Sequence, residues 1–300
     1  MSNEDKKCAP SKTYSNGSCF TLNDLKNMAN SFNNFVDKNQ LDGEKITINN
    51  DKRHLVLSLT DRLSDRCKDQ LCWLKQKFVK ELKNEDLFNN TFRPIGPEGQ
   101  FEWLNTTQIN DVMNQYEKKY NDFKFFGAVP IDFDELPFLG IKDIDFDELF
   151  KNNKKKIGFV FNLDEHWKSG SHWVALYSDL ENSKVYFFDS YGKRPEKRIR
   201  NLVKRISRWC HSHHNCEEVC SITDNSESYM RKDYKNKVED NLNVEYNRNR
   251  HQYKNSECGV YSLNFILRLL NGHSYEDITN NKVLDDEINE CRDVYFRFKK

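Results

Sequence analysis

The stretch His251-Gln252-Tyr253-Lys254-Asn255-Ser256-Glu257-Cys258-Gly259-Val260-Tyr261-Ser262 runs directly into the apolar segment Leu263–Leu270. A polar, irregular run ends at a cysteine, and the cysteine opens a strongly apolar helix that Asn271-Gly272 stops. A thiol in that position faces the positive end of the helix dipole, which favours the thiolate. Gly259 lets other backbone approach the sulfur closely. Gln252, six residues upstream of Cys258, carries an amide that can reach the same centre as a donor.

A nucleophilic cysteine needs a base. Ser171-His172-Trp173-Val174-Ala175-Leu176-Tyr177 reads as a strand beginning at the histidine. Val185-Tyr186-Phe187-Phe188-Asp189-Ser190-Tyr191-Gly192 reads as a second strand ending at an aspartate, seventeen residues after His172. Two adjacent strands would set a base beside its orienting carboxylate. Each residue also has a plain structural reading: a buried core cysteine, a strand-end histidine, a turn-forming aspartate, a solvated loop glutamine. Their order along the chain favours the chemical reading. His166, in the turn 165–170, is the alternative base.

The order His-Trp, Asp-Ser, Gln-x5-Cys-Gly resembles the Ulp1-like cysteine peptidases, which include SUMO proteases and adenovirus proteases. Within that family it looks most similar to the thiol proteases of large DNA viruses such as mimivirus and African swine fever virus. The resemblance covers roughly residues 100–270. It implies an α+β fold with a papain-like, Ulp1-like core, whose central mixed sheet is flanked by helices. It also implies acyl transfer through a thioester: Cys258 as nucleophile, His172 as general base and then acid, Asp189 as orienter. Gln252 and the Cys258 N–H would be the oxyanion donors. Trp103 and Trp173 would wall a narrow channel that passes only residues without side chains. The implied partner is a protein substrate with a Gly-Gly-type cleavage site, and no cofactor is implied. Trp103-Leu104-Asn105-Thr106 resembles the family's Trp-Leu-Asn-Asp segment, with Thr106 where the family has an acid that helps engage a ubiquitin-like modifier. That departure favours processing of viral structural polyproteins, in virion and host cytoplasm, over deconjugation of a SUMO- or ubiquitin-like modifier.

Composition sets bounds around this. Formal charge is zero over 300 residues, which argues for neither nucleic-acid nor membrane binding. No apolar run approaches the ~20 residues of a membrane span, and Met1–Ser18 lacks an apolar signal core. The chain reads as soluble and cytosolic. Its nine cysteines, an odd number, are expected to be mostly free thiols. Cys210, His211, His213, His214, Cys216 and Cys220 are zinc-type ligands, but their spacing matches no finger pattern, so a solvent-facing helix end is preferred. The basic stripe between Lys193 and Arg208 reads as a solvated helix face rather than a nucleic-acid contact.

Residues 1–91 read as a mainly helical arm, either structural or substrate-docking, and 92–300 as the protease domain. In the arm, Thr21 caps a helix, and Leu63, Cys67, Leu71, Leu74, Phe78 and Leu82 predict one long amphipathic helix from Asp61 to Leu82. In the second part, Thr106 or Thr107 caps a helix that turns Ile109, Val112, Met113, Tyr116 and Tyr120 inward. The pattern also predicts strands at 125–133, Ile157–Leu163 and Asn243–Tyr253, and a helix at Pro195–Trp209. The repeated hexamers 131–136 and 144–149 read as an acidic surface segment or lid. Residues 215–241 read as a loop, and Glu276–Lys300 as a helical tail closing the domain.

Overall fold

Strand runs such as KIGFVFN (156–162) are apolar on both alternating faces, so each needs cover from two sides. The computed structural model describes residues 16–40, 45–67, 70–84, 87, 92–99, 101–219 and 243–297. It divides into two compact units, Gly96–Arg292 and Ser2–Ile95 with Asp293–Lys300.

The N-terminal unit holds α1 (Leu22–Lys38), α2 (Lys52–Leu63) and two single turns, α3 (Gln70–Trp73) and α4 (Lys77–Lys80). Thr21 and Asp24 form a capping box on α1. The core gathers on Phe20, Leu25, Met28, Leu55, Leu59, Trp73 and Phe78. In the same unit Ile95 pairs with Arg297, whose Nε donates to the Arg93 carbonyl at 2.8 Å.

The larger unit runs α5 (Thr106–Lys119), β1 (Phe123–Pro130), α6 (Phe146–Lys151), β2 (Lys156–Asn162), β3 (Trp173–Asp179), β4 (Lys184–Phe188), α7 (Lys197–Val219), β5 (Asn243–Tyr246), α8 (Cys258–Leu270), α9 (Tyr275–Asn280) and α10 (Asp285–Glu290). The short α11 (Arg292–Tyr295) follows. The five strands form one mixed sheet in chain order. β1–β2 and β4–β5 pair parallel, whereas β2–β3 and β3–β4 pair antiparallel. Strand alternation sends Phe159, Phe161, Val174, Leu176, Val185 and Phe187 into one core with Ile199, Leu202, Val203 and Ile206 of α7. On the opposite face Phe188 stacks on Phe265 of α8, centroids 4.9 Å apart. Gly158 lies on that face because an added Cβ would meet the Phe123 ring at 2.8 Å. The fold is α+β: a mixed sheet flanked by helices, with a helical N-terminal region.

Several expectations give way. No single helix spans Asp61–Leu82: α2 ends at Leu63, and the apolar residues beyond it sit on separate turns around Trp73. A three-or-four-residue repeat serves consecutive turns around one hub as well as it serves a helix. Cys67 and Cys72 are joined by a disulfide and Cys19 is disulfide-bonded, so the free-thiol expectation fails there. The cap of α5 is Asn105, not Thr106 or Thr107, because Asn105 and Gln108 exchange side-chain hydrogen bonds at 2.9 Å. The acidic hexamers form no lid, since Ile131, Phe133 and Phe146 are core residues and Arg198 pairs with Asp134 and Glu135. Helix α7 continues past Trp209 to Val219, helped by His213 stacking one turn on against Trp209 at 4.5 Å. Residues 220–242, Cys220 among them, lie outside the described residues. β5 stops at Tyr246, where Asn247 turns aside to donate its Nδ2 to the Asp189 carbonyl at 2.6 Å. The tail is helical as expected, in three short helices among the described residues. Among the described residues no helix is long and apolar enough to cross a membrane.

Phe159 is fully buried and stacks on both Phe126 and Phe161. Phe159→Ala is expected to cost about 3–5 kcal/mol, read as a lowered midpoint in denaturant unfolding. A loss under about 1 kcal/mol would contradict this packing.

Candidate active site

Antiparallel pairing of β3 with β4, Ala175 opposite Phe188, brings the start of one strand level with the end of the other. His172 immediately precedes β3 and Asp189 immediately follows β4, so they share one end of the sheet. Both are buried, and His172 Nε2 lies 2.7 Å from Asp189 Oδ1. The same Oδ1 accepts the Tyr191 N–H at 2.8 Å, and the Tyr191 ring stacks on the imidazole at 4.5 Å. The ring is thus fixed both along its edge and over its face.

Cys258 is the first residue of α8, it is buried, and its sulfur acts on the His172 imidazole. Because Nε2 is engaged by Asp189, Nδ1 is the ring nitrogen left for the thiol. Burial pushes the imidazole pKa down, but its interactions with Asp189 and Cys258 as acceptors, and their charges, outweigh it and raise the value to about 9. An imidazole that keeps its proton beside a sulfur at a helix N-terminus can sustain a thiolate–imidazolium pair.

Gln252 is fully buried rather than solvated. Its Oε1 accepts from Ser190 Oγ at 2.6 Å, and its Nε2 donates one N–H to the Lys254 carbonyl at 2.9 Å. Ser190 thereby fixes which end of the amide is the donor end. Trp173 is buried and donates Nε1 to the Leu104 carbonyl at 2.8 Å, while Trp103 is 46% exposed. The two tryptophans line one cleft of about 320 Å³, together with Asn105, Pro130, Asn162 and Gly170. Gly259 allows its helix to come close there, because a Cβ would lie 3.0 Å from Leu104 Cβ.

His166 has a carboxylate of its own: Nδ1 is 2.6 Å from the buried Asp132. It stands half-exposed at the cleft, with no thiol among the partners that surround it in that turn. Cys210 is buried, and burial pushes its thiol up to about 12. Its neighbour in the proposed cluster, His213, packs instead on Trp209 and Phe150. Cys220 and the side chains of His214 and Cys216 are outside the described residues, among which no group of three or more metal-type ligands occurs. The basic stripe is partly spent internally, with Arg200 on the Pro195 carbonyl and Arg205 on that of Ile141. Ser190 and Tyr191 take roles in the site that the sequence alone does not show. Their signal was present in Asp189-Ser190-Tyr191-Gly192, but only the aspartate suggested a role.

A family model described as the Ulp1 protease family, C-terminal catalytic domain, matches residues 150–296. A protein of Acanthamoeba polyphaga mimivirus named a thiol protease is 36% identical over 304 residues, spanning 97% of this chain and 93% of its own length. The chain belongs to the Ulp1 protease family. It is a cysteine protease by that membership. The SUMO-1 cysteine protease of African swine fever virus is 22% identical over 251 residues, covering 77% of this chain and 83% of that protein. A crystal structure of the African swine fever virus protease superposes with a TM-score of 0.62 at 18% identity, across 100% of this chain and 98% of that one, a likeness of fold.

The His172–Asp189 pair makes stability depend on pH. The His172 imidazole holds its proton to about 9 when folded, against 6.5 for the free side chain. Its stabilising contribution is therefore complete below pH 6.5 and is lost as pH rises through 9, by up to about 3 kcal/mol. Denaturant unfolding at pH 6, 7.5 and 9.5 is expected to show that decline in the unaltered chain and a flatter profile in His172→Gln. Parallel profiles for the two proteins would contradict it.

Proposed function

We propose that this cysteine protease is an endopeptidase working through Cys258, His172 and Asp189, that it cleaves after Gly-Gly-type sites, and that it processes viral structural polyproteins during virion maturation. The observation that supports the reading is the buried His172–Asp189 hydrogen bond, with the sulfur at the head of α8 acting on the same imidazole. Asp189 fixes the tautomer and bears the imidazolium. The Cys258 thiolate attacks the scissile carbonyl carbon, and the resulting oxyanion accepts from the Cys258 N–H and the Gln252 amide. His172 gives its proton to the leaving amine, leaving a thioester. Water then attacks the thioester with His172 as base, and the acid product leaves as the thiol regains its proton. The cleft between Trp103 and Trp173 favours residues without side chains at the cut.

A second reading, deconjugation of a ubiquitin-like modifier, is favoured by the name of the African swine fever virus relative. Thr106 at the cleft stands against it, because an acid there would be the modifier's expected contact.

The test is a panel of Gly-Gly-X and Ala-Ala-X peptides beside SUMO and ubiquitin fusions. The unaltered chain is expected to cut Gly-Gly-X peptides and spare Ala-Ala-X. Cys258→Ala is expected to show no turnover, and Gln252→Ala a loss of about 10²–10³ in kcat. Cleavage of the fusions alone would replace the substrate class, and an active Cys258→Ala protein would remove the triad.

A further inference from the structure

Three buried polar side chains near the C-terminal end of the larger unit remain unexplained by the reaction. Asp285, Asn289 and Arg292 are spaced four and three residues apart, so their side chains fall on one face of the turns they occupy. All three are buried, and Arg292 is 0% exposed. A guanidinium removed from water destabilises the fold unless its nitrogens find acceptors, and here each of the three nitrogens has one. Arg292 Nη2 donates to the Ser256 carbonyl at 2.8 Å, two residues before the nucleophile. Nη1 donates at 2.8 Å to the carbonyl of Glu102, the residue before Trp103. Nε donates to Asn289 Oδ1 at 2.8 Å. Asn289 Nδ2 in turn holds Glu257 Oε1 at 3.0 Å, and the Glu257 carboxylate accepts from Ser256 N and Oγ at 2.8 and 2.9 Å. One turn earlier, Asp285 Oδ2 accepts the Tyr253 and Lys254 N–H groups at 2.8 and 2.9 Å. This polar face therefore grips the approach to Cys258 at Tyr253, Lys254, Ser256 and Glu257.

We propose that Arg292 is a positioning residue for the peptidase reaction: its guanidinium fork ties the chain entering Cys258 to the chain carrying Trp103, and so keeps the nucleophile and the wall of the cleft in register. The proposal rests on the reading of Cys258 as nucleophile. A rigid planar fork suits the task, because it donates in three fixed directions where an ammonium offers a point charge. The charge has a second effect. The Glu257 carboxylate and the Cys258 sulfur are the negative groups set against it, so it favours the thiolate in the Cys258–His172 pair.

The test compares Arg292→Gln and Arg292→Lys with the unaltered chain. Thermal melts first establish that each variant folds. The readouts are kcat and KM on a Gly-Gly-X peptide and the pH profile of Cys258 alkylation by iodoacetamide, which reports the coupled Cys258–His172 pair. Arg292→Gln is expected to lower kcat/KM about 100-fold and to move the alkylation profile toward higher pH. Arg292→Lys is expected to keep the profile in place while still losing most of kcat/KM. A residue that only held the fold together would not separate the two readouts. If Arg292→Gln does not fold, Asn289→Ala keeps the charge and removes the acceptor that aims it. That variant is expected to lose about tenfold in kcat/KM with an unmoved profile. Turnover within twofold of the unaltered chain, in folded Arg292→Gln or in Asn289→Ala, overturns the proposal. That outcome leaves the Cys258 reading intact, whereas an active Cys258→Ala protein would sink the reading beneath it.

Discussion

A buried imidazole keeps its proton only when a fixed acceptor offsets the loss of water. In this protein the acceptor is Asp189, and it is fixed because two antiparallel strands end where they must. The β3–β4 register places His172 and Asp189 at one end of the sheet, and α8 delivers Cys258 to the same end. Around this contact the neighbouring groups serve geometry: Tyr191 closes the face of the ring, Ser190 orients Gln252, and Leu104 accepts from Trp173 while packing on Gly259.

Much of this was legible in the chain. The apolar runs of β2, β3 and β4 announce strands covered on both faces, and the polar-to-apolar break at Cys258 announces a helix start. The pairing of His172 with Asp189 follows from strand ends and a turn, which are local signals. Gln252 was read as a donor, but not its burial or the Ser190 hydroxyl that orients it, because that partner lies 62 residues away. The face formed by Asp285, Asn289 and Arg292 was invisible for a related reason. Polar residues in a tail look like solvent-facing residues until their partners, up to 190 residues away, are known.

The failures have a common physics. The interval Asp61–Leu82 has helical periodicity, yet a ring of turns around Trp73 satisfies the same apolar spacing. The acidic hexamers have the composition of a surface, but Ile131, Phe133 and Phe146 belong to the core, and Arg198 pairs with Asp134 and Glu135 of the first. His166 and His172 each stand beside an aspartate, so a histidine–aspartate pair alone does not choose the base. What separates them is the Cys258 sulfur, which acts on the His172 imidazole.

That distinction is open to a direct measurement. The folded chain, treated at neutral pH with less than one equivalent of iodoacetamide, can be digested and the alkylated cysteine mapped by mass spectrometry. Cys258, paired with His172, is expected to take the label ahead of Cys210 and Cys291, and to lose that preference in His172→Gln. Label spread evenly over Cys258, Cys210 and Cys291, the free thiols among the described residues, or a Cys258 preference untouched by the loss of the imidazole, would contradict the account.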